Sequence, residues 1–267
     1  MAPLRLFVAI CFTLCLPEYV MLLTITRLSV PSLIENGTED SVILDCQYNY
    51  TKEDERLVIK WYLNDDPEPL YQWIPEINQR HVSERLKNRL NLEYMVSQSD
   101  RFTKYRAMNI IRPTVELSGK YSCHVSSLLG QDLAEKFMIV YAPAKRFDFN
   151  FTKPAPDMLK VTCEAEGIYP KPVMNMYEMI TDESKQINDI EIQTSKTENF
   201  YNIFISKTFN DDELCQEDTV MFECILTIPG TTYRKQVQLS YFMGDIENFS
   251  NRNMLSVFLL ALLFIHL

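Results

Sequence analysis

The sequence predicts an all-β fold, and three observations lead to that prediction. Short stretches in which apolar and polar residues alternate recur along the chain, for example Ser41–Tyr48 and Tyr233–Tyr241, and such alternation is typical of half-buried strands. Turn segments rich in Asn, Asp and Pro, such as Asn64–Pro69, separate these stretches. Cysteines stand inside several of them, as Cys46 does. The pattern indicates strands packed in two layers and joined by disulfides.

Four residues specify the kind of sandwich. Trp61 follows Cys46 by fifteen residues, and Tyr121 lies two residues before Cys123. This order is typical of an immunoglobulin-like sandwich, in which a disulfide joins two sheets, an indole fills the core beside it and the tyrosine hydroxyl fixes a corner of the chain. Trp61 and Tyr121 are therefore predicted core residues. An additional strand at Leu70–Ile74 favours the nine-strand variable type.

A second sandwich is predicted after the short linker Ala142–Ala144. Cys163 and Cys224 are 61 residues apart, which fits a constant-type domain. Its core signature is weaker, because Met176 or Tyr177 occupies the place of the tryptophan and a phenylalanine replaces the tyrosine. The predicted domains are residues 27–142, variable-type, and 143–243, constant-type-like.

Composition limits the classes of partner. The chain has 267 residues, 46% of them apolar and 23% charged, and a net charge of −10. An acidic balance argues against nucleic acid, which requires a basic stripe, and against electrostatic docking on an anionic membrane. The net charge does not indicate which kind of protein the chain binds.

The amino-terminal segment is typical of a secretory signal. Arg5 precedes an apolar run from Leu6 to Leu16, which is too short to span a membrane. Residues 1–26 are therefore expected to be a signal peptide. A buried amino-terminal helix is the alternative.

The carboxyl-terminal segment is typical of a lipid-anchor signal. A polar spacer, residues 244–253, precedes fourteen apolar residues, 254–267. Replacement of such a tail by glycosylphosphatidylinositol is expected on the extracellular face of the plasma membrane. A short membrane-spanning helix that stays in place is the alternative.

Seven cysteines include two in the signal segment. Of the other five, Cys46 is expected to pair with Cys123 and Cys163 with Cys224, while a Cys163–Cys215 pairing stays open. Cys215 is then left over, either as a free thiol or in a bond to another chain. Four Asn-x-Ser/Thr sequences are candidate glycosylation sites: Asn36, Asn49, Asn150 and Asn248.

No catalytic constellation is evident. The three histidines, His81, His124 and His266, lie in different segments, and no Cys or His pair has metal-ligand spacing. We therefore expect no enzyme activity, cofactor or metal. The remaining chemistry is that of a binding surface. Tyr62 should point outward because Trp61 points inward, and Tyr71 and Trp73 share one face of the next strand. Alternatively, Tyr71 and Trp73 pack the edge of the sandwich.

The runs Val58–Tyr62, Leu70–Pro75 and Leu117–Ser126 together resemble the first domain of the insect beaten path proteins. That resemblance implies a secreted or membrane-attached protein that binds a cell-surface immunoglobulin-superfamily receptor in axon guidance or synaptic partner choice. One departure is Leu117, which stands where the usual motif has an aspartate that pairs with an arginine. The alternative is a soluble, secreted protein of immune recognition or ligand sequestration.

Overall fold

A computed structural model describes residues 23–180, 183–214 and 219–242. The predicted apolar tail, most of the signal segment, Cys215 and Asn248 lie outside these ranges. The described chain consists of strands and four short 3-10 helices: Pro75–Ile77, Glu84–Leu86, Val115–Leu117 and Asp211–Glu213. It forms two compact units, and the second unit takes Leu33–Thr38 and Thr114–Ser118 as well as the chain from Ile139 onward. The predicted domain boundaries are not tested by this division and stay predictions.

Nine strands build the first sandwich. They are β1 Thr24–Ser29, β2 Leu33–Glu35, β3 Ser41–Asn49, β4 Val58–Leu63, β5 Tyr71–Ile74, β6 Gln79–Val82, β7 Met108–Ile111, β8 Gly119–Ser126 and β9 Gln131–Tyr141. One sheet has the order β1-β3-β7, and the other has the order β2-β9-β8-β4-β5-β6. The two strands beyond β4 are those that distinguish a variable-type sandwich. Between β6 and β7, Leu90 forms an isolated bridge to Ile110 of β7.

The core of the first sandwich is built as predicted. The Cys46–Cys123 disulfide joins β3 and β8. Trp61 lies directly opposite Cys123 on the neighbouring strand and is fully buried. Tyr121 is also fully buried. The predicted core roles of Trp61 and Tyr121 follow from inward alternation on β4 and β8.

Three aromatic side chains hold the segment between β6 and β7 onto this core. Tyr48, Trp61 and Tyr71 donate hydrogen bonds to the carbonyl oxygens of Phe102, Arg106 and Tyr105, respectively. The Trp61 bond is 3.1 Å long and the Tyr71 bond 2.8 Å. Burial raises the pKa of both tyrosine hydroxyls, so they remain protonated donors. A segment without regular structure is thus fixed by donors from three different strands.

A buried ion pair closes the same region. Arg106 Nε and the second guanidinium nitrogen donate to the two carboxylate oxygens of Asp45, at 2.8 and 3.1 Å. The hydrogen bonds that Arg106 donates to Asp45 raise the pKa of Arg106, against the opposing effect of burial. Leu117, which replaces the usual aspartate, is fully buried. The carboxylate that holds Arg106 thus comes from the residue directly before Cys46.

Eight strands build the second sandwich. They are β10 Arg146–Ala155, β11 Met158–Ile168, β12 Val173–Ile180, β13 Glu183–Gln186, β14 Glu191–Thr197, β15 Phe200–Asn210, β16 Thr219–Thr227 and β17 Arg234–Phe242. The sheets have the orders β10-β11-β15-β14 and β13-β12-β16-β17. This arrangement is constant-type-like, because β10, β11, β15 and β14 form one sheet and β12, β16 and β17 are consecutive strands of the other.

The second core replaces the tryptophan with a methionine. Cys163 and Cys224 form the disulfide, so the Cys163–Cys215 alternative is excluded. Met176 lies opposite Cys224, in the register that Trp61 holds opposite Cys123, and it is fully buried. Tyr177, the other candidate, is only half-buried. Methionine fills irregular core space well because its side chain is unbranched and flexible.

Replacing Met176 with alanine is expected to lower the free energy of unfolding by about 2–5 kcal/mol, because a buried side chain is removed and a cavity remains. Tyr177→Ala, one residue away on the outer side of β12, should cost less than about 1 kcal/mol. Denaturant unfolding of both variants measures the difference. Equal losses would contradict the assignment of Met176 to the tryptophan position.

Candidate functional site

The strand pairing places a set of side chains on the outer side of β4, β8 and β9, which we call the front face. Lys60 lies opposite His124, and His124 lies opposite Leu133. Residues directly opposite one another in antiparallel strands point to the same side of the sheet. Tyr62 is two residues from Lys60 and therefore shares that side. The prediction that Tyr62 points outward follows directly from the inward position of Trp61.

An aromatic pair lies at the centre of the front face. The rings of Tyr62 and His124 are 4.7 Å apart and inclined at 56°. They line an open depression of about 460 Å³, to which Lys60 and Leu133 also contribute. Ser126, Gln131 and Asp132 also line it, so the aromatic pair and Leu133 lie among polar and charged groups, as anchors within a polar rim do.

Apolar side chains continue from this depression along β9. Leu133 is 50% exposed and Phe137 is 64% exposed. Leu128 and Leu129, in the turn between β8 and β9, are also more than half exposed. The β8–β9 hairpin thus carries four large apolar side chains that contribute little to the core. Single exposed apolar residues are common on protein surfaces, whereas a cluster of four indicates an interaction site.

Charged groups border the apolar side chains. Lys120 lies opposite Phe137 and forms ion pairs with Asp65 and Glu135, at 2.9 and 3.2 Å. These exposed pairs contribute little to stability. They do place an acidic and a basic group beside the most exposed aromatic ring of the face, as the polar rim of an interface does.

Tyr71 and Trp73 do not belong to the front face, and their predicted role in partner binding is wrong. They are 2% and 0% exposed. On β5 they lie opposite Trp61 and Ile59, which both point inward, so the same alternation that exposes Tyr62 buries them. The alternative, that the two aromatics pack the sandwich, is the correct one.

The sequence did not identify Leu133, Phe137 or His124 as members of a binding face. Leu133 and Phe137 both lie on β9, which begins at Gln131. The alternation of Leu133, Glu135 and Phe137 with smaller or charged neighbours offered a signal. Because both faces of β9 carry apolar residues, its inward side could be assigned only from its register with β8.

The histidines do not form a catalytic pair. His124 lies on β8 and His81 on β6, with β4 and β5 between them in one continuous row of paired residues. Three strand spacings correspond to about 14 Å, which is far beyond hydrogen-bond reach. Within the part of the chain that the structure describes, no group of three His, Cys, Asp or Glu residues has the geometry to hold a metal ion.

None of the three candidate glycosylation sites within the described residues is on β4, β8 or β9. Asn36 occupies the turn after β2, Asn49 ends β3 in the opposite sheet, and Asn150 is on β10 in the second sandwich. Asn49 and Asn150 are exposed, whereas Asn36 is half-buried. Asn248 lies outside the described residues.

His124 has an environment that favours its neutral form. Burial against Tyr62 and its neighbours lowers the pKa of His124 below 6.5, Glu135 opposes this effect and Lys60 adds to it. At neutral pH the imidazole is therefore uncharged and can present an apolar surface. The front face gains positive charge only under acidic conditions.

A proton NMR titration should give His124 a midpoint below 6.5. Lys60→Gln is expected to raise that midpoint and Glu135→Gln to lower it further, because the two groups act in opposite directions. The remote substitution Lys171→Gln should leave it unchanged. A midpoint above 6.5, or shifts of the same sign in the two neighbouring variants, would contradict the described environment.

Among residues 23–180, 183–214 and 219–242, no helix has the length and apolar character needed to cross a membrane.

No protein-family model and no curated protein matches the sequence. Solved structures do match. Bovine butyrophilin superposes with a TM-score of 0.60 at 13% identity, over 82% of this chain and 97% of that chain. A chain in the crystal structure of ICOS in complex with ICOS-L and an anti-ICOS-L VNAR domain superposes with a TM-score of 0.51 at 16% identity, over 79% of this chain and 100% of that chain. At such low identity the likeness concerns the fold, and it confirms two tandem immunoglobulin-like sandwiches.

Proposed function

We propose that this protein is a cell-surface recognition protein that binds another extracellular protein through the front face of its first sandwich. The observation that carries this proposal is the concentration of exposed apolar and aromatic groups on β4, β8 and β9. Leu133 and Phe137 lie half or more in solvent beside the paired rings of Tyr62 and His124. Binding of a partner that removes such apolar surface from water is favoured in free energy.

The arrangement has the parts of a specific interface. Tyr62 supplies a large side chain whose hydroxyl can bond to a partner, and its ring is held in place by His124. Phe137 supplies an exposed anchor, and the Lys120–Glu135 pair beside it can set the orientation of a charged partner. Aromatic anchors within a polar rim are where binding free energy concentrates in protein interfaces.

The positions of the glycan acceptors support the same face. A glycan is bulky and hydrated, so it excludes a protein partner from the surface that it covers. None of the three acceptors in the described residues lies on β4, β8 or β9. Asn49 is on β3 in the opposite sheet, so a glycan there would leave the front face accessible.

A binding role rather than catalysis is part of this proposal. The front face is an open depression with one histidine, and the nearest second histidine on the same row is three strands away. The ICOS structure among the neighbours is a complex with ICOS-L, which agrees with a binding role. The resemblance of Val58–Tyr62 and Leu117–Ser126 to beaten path proteins extends the proposal to an immunoglobulin-superfamily receptor as partner, in axon guidance or synaptic partner choice.

Tyr62→Ala and Phe137→Ala are each expected to weaken binding to the partner about tenfold or more, because central aromatic anchors dominate interface energetics. The partner is first identified by screening the secreted chain against cell-surface ectodomains, and affinities are then measured by surface plasmon resonance. Ile43→Ala is the matched control, since Ile43 is an exposed apolar residue on β3 in the opposite sheet.

The proposal fails if both front-face variants bind as the unaltered chain does while their melting temperatures are unchanged. It fails equally if Ile43→Ala weakens binding as much as they do. Trp73→Ala is unsuitable for this test, because Trp73 is fully buried and its loss would act through folding.

Attachment through a glycosylphosphatidylinositol anchor is also proposed, on the polar spacer 244–253 followed by apolar residues 254–267. Phosphatidylinositol-specific phospholipase C should release the protein from the surface of expressing cells into the medium. Retention in the membrane after treatment would favour a short spanning helix. Protein found in the medium before treatment would favour the second candidate, a soluble protein of immune recognition or ligand sequestration.

A further inference from the structure

Positive charge is concentrated in one segment of this acidic chain. Residues 79–112 contain eight Lys and Arg against three Asp and Glu, a net charge of +5, whereas the whole chain has a net charge of −10. The rest of the chain is therefore at −15. The net charge of the whole chain does not reveal this uneven distribution of charge. The acidic composition alone therefore does not exclude a surface that attracts anions.

The fold brings this segment to one side of the first sandwich. β6 is the last strand of its sheet, and residues 89–91 run beside β7 at the border of the other sheet. Arg80 joins the two borders, because its guanidinium donates to the carbonyl oxygen of Leu92 at 2.6 Å. We call the cationic side chains along this side the basic edge: Arg80, Arg85, Lys87, Arg101 and Lys104.

Two members of the basic edge converge on one aromatic ring. The Arg80 guanidinium carbon lies 4.0 Å from the centre of the Tyr105 ring, and Lys104 Nζ lies 5.0 Å from the same centre. Arg101 lies 4.5 Å from the ring of Phe102. Aromatic rings attract cations through their electron-rich faces. They hold these three side chains in place without neutralising their charge.

Carboxylates neutralise little of the basic edge. In the described ranges, neither Arg80, Arg85, Arg101 nor Lys104 forms an ion pair with an acidic side chain, and Lys87 is paired with Glu84 on the exposed surface. At physiological ionic strength, interactions beyond about 8 Å are screened. The five cations of the basic edge exceed the three acidic residues of the same segment, Glu84, Glu93 and Asp100, by two charges, which leaves a local positive potential along this edge.

We propose that the basic edge is a second binding site, distinct from the front face, for an extended sulfated polysaccharide. Sulfate groups spaced along such a chain would meet guanidinium and ammonium groups distributed along β6, the following 3-10 helix and residues 101–104. Guanidinium groups suit oxyanions because their N–H groups bond in pairs. Displacement of bound counterions would drive the association and make it strongly salt-dependent.

A polysaccharide fits this edge better than an acidic protein does. Protein interfaces need an apolar core. In the first sandwich, four of the exposed large apolar residues lie on the β8–β9 hairpin, whereas Ile77, two residues before β6, and Leu92 are exposed near the basic edge. A positively charged surface without an apolar centre suits a polyanionic ligand.

The test uses the full secreted chain on immobilised heparin, eluted with a salt gradient. The test variant combines Arg85→Gln, Lys87→Gln, Arg101→Gln and Lys104→Gln, and leaves Arg80 in place because it contacts the Leu92 carbonyl. The unaltered chain should be retained at physiological salt. The test variant should elute at lower salt, and the slope of log affinity against log salt should decrease by about three.

The matched control removes the same charge from the second sandwich, where all four chosen side chains are exposed. It combines Lys171→Gln, Lys185→Gln, Arg234→Gln and Lys235→Gln, and it should elute as the unaltered chain does. Thermal unfolding checks that all variants are folded. Failure of the unaltered chain to bind heparin, or an equal loss in the control variant, would overturn the proposal. So would equal retention on desulfated heparin or on polyglutamate, since either would show that sulfate is not what the edge recognises.

Discussion

The pairing of β4 with β8 is the interaction on which the first sandwich depends. It places Trp61 beside Cys123, and hence beside the disulfide to Cys46. The indole then donates to the carbonyl oxygen of Arg106, which in turn holds Asp45. Because side chains alternate along a strand, the same register that buries Trp61 exposes Lys60 and Tyr62. Core and front face are therefore two consequences of one strand register.

The second sandwich uses the same register with different side chains. Met176 takes the position opposite Cys224 that Trp61 takes opposite Cys123, and Phe222 stands where the first sandwich has Tyr121. Both replacements are fully buried. A core requires filled volume and suitable rotamers more than it requires particular residues. Methionine offers no indole N–H, however, and so cannot hold a loop carbonyl as Trp61 does. The two replacements make the sequence signature of the second sandwich weak, whereas the burial of both side chains keeps its fold intact.

Two surfaces of the first sandwich have opposite characters. The front face is apolar and aromatic, with Leu133 and Phe137 exposed, and suits a protein partner. The basic edge carries cations around Tyr105 and suits a polyanion. The front face lies on β4, β8 and β9, whereas the basic edge lies on β6 and the segment that follows it. One domain could therefore bind a protein and a polysaccharide at separate places, and the two activities can be separated by substitution.

The sequence by itself determined the sandwich class, the Cys46–Cys123 disulfide, the burial of Trp61 and Tyr121 and the outward direction of Tyr62, because the Cys, Trp and Tyr spacing specifies this sandwich and side chains alternate along a strand. The structure decided that Cys163 pairs with Cys224 rather than with Cys215. The sequence could not decide between burial and exposure of Trp73, nor identify Leu133 and Phe137, because these depend on which strand lies opposite which residue. Only the tertiary structure supplied that register, together with the convergence of Arg80 and Lys104 on Tyr105 from separate segments. Local pattern fixes which way a side chain points within its strand, whereas a binding surface is assembled by contacts between strands that are distant in the chain.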